Sequence, residues 1–243
     1  MGPPQRITPL RTVGNPTERT VYGMSRTTVA AMSGPLRVLR VLAAAGAGYV
    51  LGATSTADFV ASRVGSGHDL TAEGTGNPGA MNASHVLGKK WGAVVMAADV
   101  GKATAAGRVG TTLAGDLGAH VATTAAVVGH CYPPGRPGGK GVAASLGQVI
   151  ATFPSYLLID IGVALGTSSL PWFRQRTRAA TMVASATWVG CGLVWWKRKL
   201  PNPGGVSPTA ALPIAAAVSS VVIAMRFRSE TERVAAYEEG TEL

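Results

Sequence analysis

Two glycine-bearing stretches carry the polar chemistry of this 243-residue chain. In the first, EGTGNPGAMNASHVLGKKWG, Gly74, Gly76 and Gly79 stand among Asn77, Pro78 and Asn82. Such a run is rich in turns, its main-chain amides can converge on an oxyanion, and Thr75 adds a hydroxyl. An ordinary interhelical turn would use the same residues, so spacing alone leaves both readings open. In the second, GHCYPPGRPGGKGVAAS over 129–145, Gly138 and Gly139 allow the backbone to approach a ligand, and Lys140 supplies a point charge. A helix beginning just after would present its N-terminus to the same spot, which completes the parts of a phosphate cradle. It is not a nucleoside-triphosphate loop, because Pro134 stands six residues before Lys140 and Gly141 follows it. Asp99 and Lys102, three apart on one helical face, form a third candidate, since ionisable groups within a membrane helix are costly unless they pair or face a wet cavity. Asp116, His120 and Asp160 read as structural or interfacial groups.

These residues need elements to hold them, and the uncharged runs define those elements. Val41–Ala57, Gly141–Ile159, Ala179–Trp196 and Pro201–Met225 contain no charged residue. A bilayer core about 30 Å thick takes roughly 20 mostly apolar residues per helix, so several of these runs qualify as spans. The expected fold is therefore all-α: a polytopic membrane bundle of about seven transmembrane helices, near 38–57, 91–108, 111–130, 141–153, 154–171, 179–196 and 207–225. A soluble protein with buried helices is disfavoured by uncharged runs of that length, although the mean hydropathy is only +0.24. Pro154 divides the fourth span from the fifth, where one kinked helix would also fit. Two spans lie between the loops at 58–90 and 131–140, so both loops emerge on one face.

Residues 1–33 are basic, rich in Thr and Pro, and expected to be a disordered tail ahead of a membrane domain over 36–228. Residues 229–243 form a polar C-terminal tail outside the bilayer. The net charge of +10 is accounted for by cations such as Lys89-Lys90 and Lys197-Arg198-Lys199 that flank apolar runs, without invoking nucleic acid. Cys131 and Cys191 make neither a metal cluster nor a disulfide framework.

Taken together, GTGNPGAMN, the DVGK inside the next helix and GHCYP…GGKGVA resemble, in order and separation, the bacterial acyl-phosphate:glycerol-3-phosphate acyltransferase family, PlsY. The likeness runs from about residue 36 to 242. It implies a seven-helix membrane enzyme that moves a fatty acyl group from acyl phosphate to the 1-hydroxyl of glycerol 3-phosphate, giving lysophosphatidic acid for phospholipid synthesis, with no metal or other cofactor. It implies a bacterial plasma-membrane location with the active face in the cytoplasm. Its partners would be the two substrates and membrane lipids, with room for a membrane-protein partner and none for nucleic acid. Carried onto this chain, the catalytic set is Thr75, Asn77 and Lys140, and the substrate-binding set is Gly76, Asn82, His85, Lys102, His130, Gly138 and Gly139. The absence of any His-x4-Asp sequence sets the chain apart from the other large class of glycerolipid acyltransferases.

The departures from the family pattern are specific. Thr75 replaces a serine, Met81 a threonine, His85 an arginine and Ala103 a glycine, while Phe227 and Glu230 stand for a histidine and an asparagine. The segment between Pro133 and the paired glycines is two residues shorter than the family's. A histidine, mostly neutral at pH 7, does not hold phosphate as a guanidinium does. A second expectation follows: a catalytically degenerate relative that binds a lipid phosphate as a membrane subunit of an envelope or lipid complex. A transporter, with Asp99 and Lys102 as a pathway pair, is a third.

Overall fold

The computed structural model describes residues 34–64, 67–171 and 176–238, with side chains as far as 229. The tail expected over 1–33 lies outside the described residues. Among those described, every regular element is helical: α1 (Gly34–Ala53), α2 (Thr56–Val64), α3 (Ala80–Val86), α4 (Lys89–Cys131), α5 (Val142–Thr152), a 3-10 turn (Pro154–Tyr156), α6 (Leu157–Ser169), α7 (Arg176–Arg198) and α8 (Ala211–Glu238).

The two limbs of α4 form a helical hairpin. Ala114 and Gly115 leave helical geometry, and Gly115 takes φ 64°, ψ −152°, a conformation that favours glycine. The limbs then pack so closely that a Cβ on Gly110 would strike the Gly118 carbonyl, and one on Gly118 the Gly110 carbonyl. α1 lies against the second limb in the same manner, Gly48 on the Ala122 backbone and Gly52 on that of Ala126. Small residues thus let backbones approach where lipid supplies no hydrophobic force between helices. The centre of the bundle is accordingly alanine-rich, with Ala44, Ala103, Ala106, Ala122 and Ala126 fully buried.

The larger side chains gather at the other end of the fold. Phe153, Tyr156, Trp188 and Leu212 are buried together, and Tyr156 donates its hydroxyl proton to the Ala184 carbonyl at 2.9 Å. Gln148 of α5 donates to Thr124 of α4 at 3.1 Å and accepts from Ser219 of α8 at 2.7 Å, which ties three helices through one satisfied buried amide.

By length and composition, three described segments are able to cross a membrane: Gly34–Val64, Arg176–Arg198 and Ala211–Ser229. The limbs of α4, which carry Asp99, Lys102, Arg108 and Asp116, are not among them. The expected fourth and fifth spans are α5 and α6, which meet at a 117° bend beside Pro154. Counted as one broken span, the pair would make a fourth membrane-crossing segment. At about 1.5 Å of rise per residue, the 11 residues of α5 cover little more than half of a bilayer core. Within the expected loop at 58–90, residues 58–64 and Ala80–Val86 are helical, and the polar tail expected from 229 is helical as far as Glu238.

Candidate active site

The chain leaves α1 at Ala53, crosses Thr54 and Ser55, and re-enters helix at Thr56. This elbow faces Asp99 and Lys102 from the first limb of α4. Asp99, 1% exposed, accepts a hydrogen bond from Thr56 Oγ1 at 2.6 Å and pairs with Lys102 Nζ at 2.9 Å. Lys102 Nζ also donates to the Thr54 carbonyl at 3.0 Å, and His130 Nδ1 lies 3.5 Å from the Asp99 carboxylate. The buried carboxylate is thus paired and hydrogen-bonded on several sides, as burial of charge requires. The pair sits level with the C-terminal end of α1 rather than deep in the first limb of α4.

The loop over 132–141 folds back onto this cluster. The Gly139 amide donates to the His130 carbonyl at 3.0 Å, and the His130 ring occupies the place a Gly139 side chain would take. Gly141, at φ 87°, turns the chain into α5. From the far end of the sequence, Arg226 of α8 donates through Nη2 to the Gly138 carbonyl at 2.7 Å and through Nε to the Gly139 carbonyl at 3.2 Å. With both carbonyls engaged by one guanidinium, the orientation of the Gly138–Gly139 peptides is set. Arg136 reaches in the opposite direction, to the Ala53 carbonyl and, through Nη1, to Asp58 Oδ2 at 3.1 Å.

The loop over 70–79 is organised by Asn82. Its Oδ1 accepts from the Thr75 amide at 2.8 Å, and its Nδ2 donates to the Leu70 and Glu73 carbonyls at 2.9 Å each. Asn77 is buried beside Gly79, and Gly74 and Gly76 take positive φ.

A shallow, half-open cleft with about 10 Å³ of room for water lies between the elbow and both loops. It is lined by Thr54, Thr56, Pro78, Asp99, Lys102, His130, Arg136, Gly138 and Gly139, among others. Of the residues singled out from sequence, it therefore gathers Lys102, His130, Gly138 and Gly139. Thr75, Gly76, Asn77, Asn82, His85 and Lys140 are not in its wall, although Asn77 adjoins Pro78, which is. Thr75 and His85 are exposed, and Lys140 holds Nζ 5.2 Å from the centre of the Phe227 ring. Thr56, Asp58, Arg136 and Arg226 were not picked out from sequence. Their partners lie between 43 and 88 residues away along the chain, and no local pattern marks them. Among the described residues, no group of three or more His, Cys, Asp and Glu is placed to hold a metal ion.

Helices throughout the described residues, lipid-length apolar segments and a polar cleft walled in part by glycines define the class of integral membrane proteins. The comparisons with known proteins narrow this class. A family model described as glycerol-3-phosphate acyltransferase matches residues 42–237, so the chain belongs to that family. The glycerol-3-phosphate acyltransferase of Exiguobacterium sibiricum is 42% identical over 114 residues, which cover 46% of this chain and 55% of that protein. That of Pseudomonas aeruginosa is 33% identical over 171 residues, 68% of this chain and 83% of the other. Crystal structures of PlsY, an integral membrane glycerol 3-phosphate acyltransferase, superpose with TM-scores of 0.62 for the glycerol 3-phosphate form and 0.63 for the lysophosphatidic acid form. The former is 28% identical, and the match covers 82% of this chain and 92% of that one.

Proposed function

We propose that this membrane protein transfers a fatty acyl group from acyl phosphate to the 1-hydroxyl of glycerol 3-phosphate, giving lysophosphatidic acid and inorganic phosphate. Family membership supports the reaction class, and the cleft supports the chemistry. The observation that carries it is the convergence of Lys102, His130 and the Gly138–Gly139 backbone at one end of an apolar bundle, where a phosphate can meet polar groups while an acyl tail lies against lipid-facing helices. The acceptor oxygen bonds to the acyl carbonyl carbon, the carbon–oxygen bond to phosphate breaks, and the phosphate leaves with that electron pair. The hydroxyl proton goes to a phosphate oxygen.

In this reading Lys140, Gly138 and Gly139 hold phosphate, with Lys102 in the cleft wall beside them. Main-chain amides and cations aimed at the charge that develops on the leaving group are the terms that most lower such a barrier. Thr75, Gly76 and Asn77 orient the acceptor or polarise the acyl carbonyl, with Asn82 shaping their loop and His85 at its outer edge. His130 lies where it can contact either substrate, and the Asp99 carboxylate beside Nδ1 fixes its ring. The cleft faces the cytoplasm of a bacterial cell, in keeping with Arg63, Lys89, Lys90, Lys140 and Arg226 at that end of the bundle.

The exposed position of Thr75, outside the cleft wall, favours a second reading in which the protein binds a lipid phosphate without turnover. Purified protein in detergent, given palmitoyl phosphate and glycerol 3-phosphate, separates the two. Phosphate release that is lost in both Thr75→Val and Lys140→Ala establishes the transferase. Headgroup binding with no release establishes the second reading.

A further inference from the structure

We propose that Arg136 is a phosphate-binding residue of the cleft, parked on Asp58 when no anion is present and transferred to a substrate phosphate when one enters. This rests on the transferase reading for the identity of the ligand, though not for its charge.

The cations around the cleft differ in how firmly they are engaged. Lys102 is 8% exposed and is held by the buried Asp99 carboxylate and the Thr54 carbonyl, so its charge is largely balanced within the protein. Lys140 is directed toward the Phe227 ring, and Arg226 is engaged by the Gly138 and Gly139 carbonyls. Arg136 is in the cleft wall, and its ionic partner, Asp58, is a 49% exposed carboxylate at the start of α2. An exposed ion pair of this kind is weakly held and easily exchanged. A phosphate monoester carries more charge than a carboxylate and offers a guanidinium the same two-pronged match, so it competes well for Arg136.

Space points to the same residue. The cleft is half open, with only about 10 Å³ of room for water between its walls, so an anion reaches it from the open side and seats more deeply when part of the wall yields. Lys102 and Asp99 are held by their buried ion pair, and the Gly138 and Gly139 carbonyls by Arg226. Arg136 spans the opening between Gly138 and the elbow, and its ties end on one backbone carbonyl and one half-exposed side chain. Its release from Asp58 opens the cleft and supplies a cation in the same movement. Both substrates of the proposed reaction carry a phosphate, and kinetics with each one varied identify which of them Arg136 takes.

Two variants with opposite expected effects test the exchange. Arg136→Gln removes the cation and is expected to raise KM for one of the two substrates roughly 10- to 100-fold, the loss of a charge-assisted hydrogen bond, with Arg136→Lys recovering part of it. Asp58→Asn removes the competitor and is expected to lower the same KM about two- to fivefold. Inorganic phosphate, titrated as a stabiliser of the full-length protein against thermal unfolding in detergent, gives a readout independent of turnover. Asp58→Asn shifts its half-effective concentration down, and Arg136→Gln shifts it up. If both variants weaken phosphate binding alike, the pair is a structural tie and the proposal is overturned; unchanged binding in Arg136→Gln overturns it as well. A wild-type protein that shows this opposed response yet releases no phosphate from palmitoyl phosphate retains the anion exchange and loses the transferase reading.

Discussion

The loop over 70–79 is braced from within, by the Asn82 side chain seven residues or more away, whereas the loop over 132–141 is braced by helices from both ends of the sequence. The first keeps its shape wherever its own segment folds. The second has its shape only when α1, α2 and α8 are assembled around it. The loop proposed to hold phosphate is thus the one tied to the whole bundle, and its geometry follows from tertiary contacts more than from its glycines. Substitutions of the residues that brace the two loops should separate along that line, those around the second disturbing a loop tied to the whole bundle and those at Asn82 disturbing local order.

The largest effect is expected where the second loop meets the helices without any spare volume. A Cβ on Gly138 would strike the Cys131 carbonyl, which is backbone and cannot move aside, and one on Gly139 would strike the His130 ring. Gly138→Ala should displace the loop by enough to lower turnover roughly 100-fold, as misplacements near 1 Å do, and overpacking should cost about 1–3 kcal/mol of stability. Turnover and thermal melting measured on the same detergent preparation check both. Gly135→Ala provides a contrast, because a Cβ there has open space and meets only the strain of φ 71°. A Gly138→Ala protein with normal turnover would show that this backbone is not part of the site.

Next comes the tether from α8. Arg226→Gln removes two bonds from a charged donor to the Gly138 and Gly139 carbonyls, each such bond contributing about 1.5–3 kcal/mol where it is fully formed. The expected outcome is a fall in kcat of about tenfold or more with the protein still folded. Arg226→Lys should restore only a fraction, since an ammonium has no planar fork to reach both carbonyls. Equal activity in wild type and Arg226→Gln would mean that the loop holds itself, contrary to the comparison above.

What the sequence made legible follows the same division. The uncharged runs located the apolar helices, although α8 continues past the end of its run at Met225 to Glu238, and Pro154 marked the break between α5 and α6, because both signals are local. The two limbs of α4 were read as consecutive spans at 91–108 and 111–130, yet the turn at Ala114–Gly115 and the mutual contact of Gly110 and Gly118 depend on the packed limbs. At the site, the motifs pointed to Lys102, His130, Gly138 and Gly139, which the cleft does bring together. Arg136 and Arg226 carried no comparable signal, since an arginine in a basic flank looks alike whether it faces water, lipid headgroups or a loop carbonyl 88 residues away. Residues 58–64 were read as loop, and burial of Val60 and Ala61, with Ala57, against the 70–95 region makes them helix.

For the first loop the expected change is one of order. Asn82→Ala deletes three hydrogen bonds that hold residues 70–75, and leaves the Leu70 and Glu73 carbonyls without this donor. The loss should be about 1–3 kcal/mol, seen as faster amide hydrogen exchange from Leu70 to Gly76 with the exchange of α4 and α5 unchanged. If Asn82 touched substrate directly, KM would rise while exchange in the substrate-free protein stayed at the wild-type rate. The two outcomes are exclusive in the apo protein, so a single exchange experiment assigns Asn82 to the frame or to the ligand.

The smallest effect concerns the entry to that loop. The Asp69 carboxylate accepts from the Thr71 hydroxyl at 2.7 Å and the Thr71 amide at 2.8 Å, and these bonds hold its pKa below the ordinary carboxylate value. A carboxyl whose native pKa is depressed stabilises the fold fully above its unfolded pKa and loses that contribution as pH falls through the native one. Acidification below the usual carboxylate range should therefore loosen the 69–73 turn, while the backbone bonds from Ala72 and Glu73 to the Asp69 carbonyl, which do not titrate, keep the chain direction. Because the side chain is fully in water, the change should be visible in local exchange at Thr71 and Ala72 and absent from global melting. Asp69→Asn should show the loosened turn at neutral pH and no further acid response. An acid response of the same size in Asp69→Asn would assign it to another group.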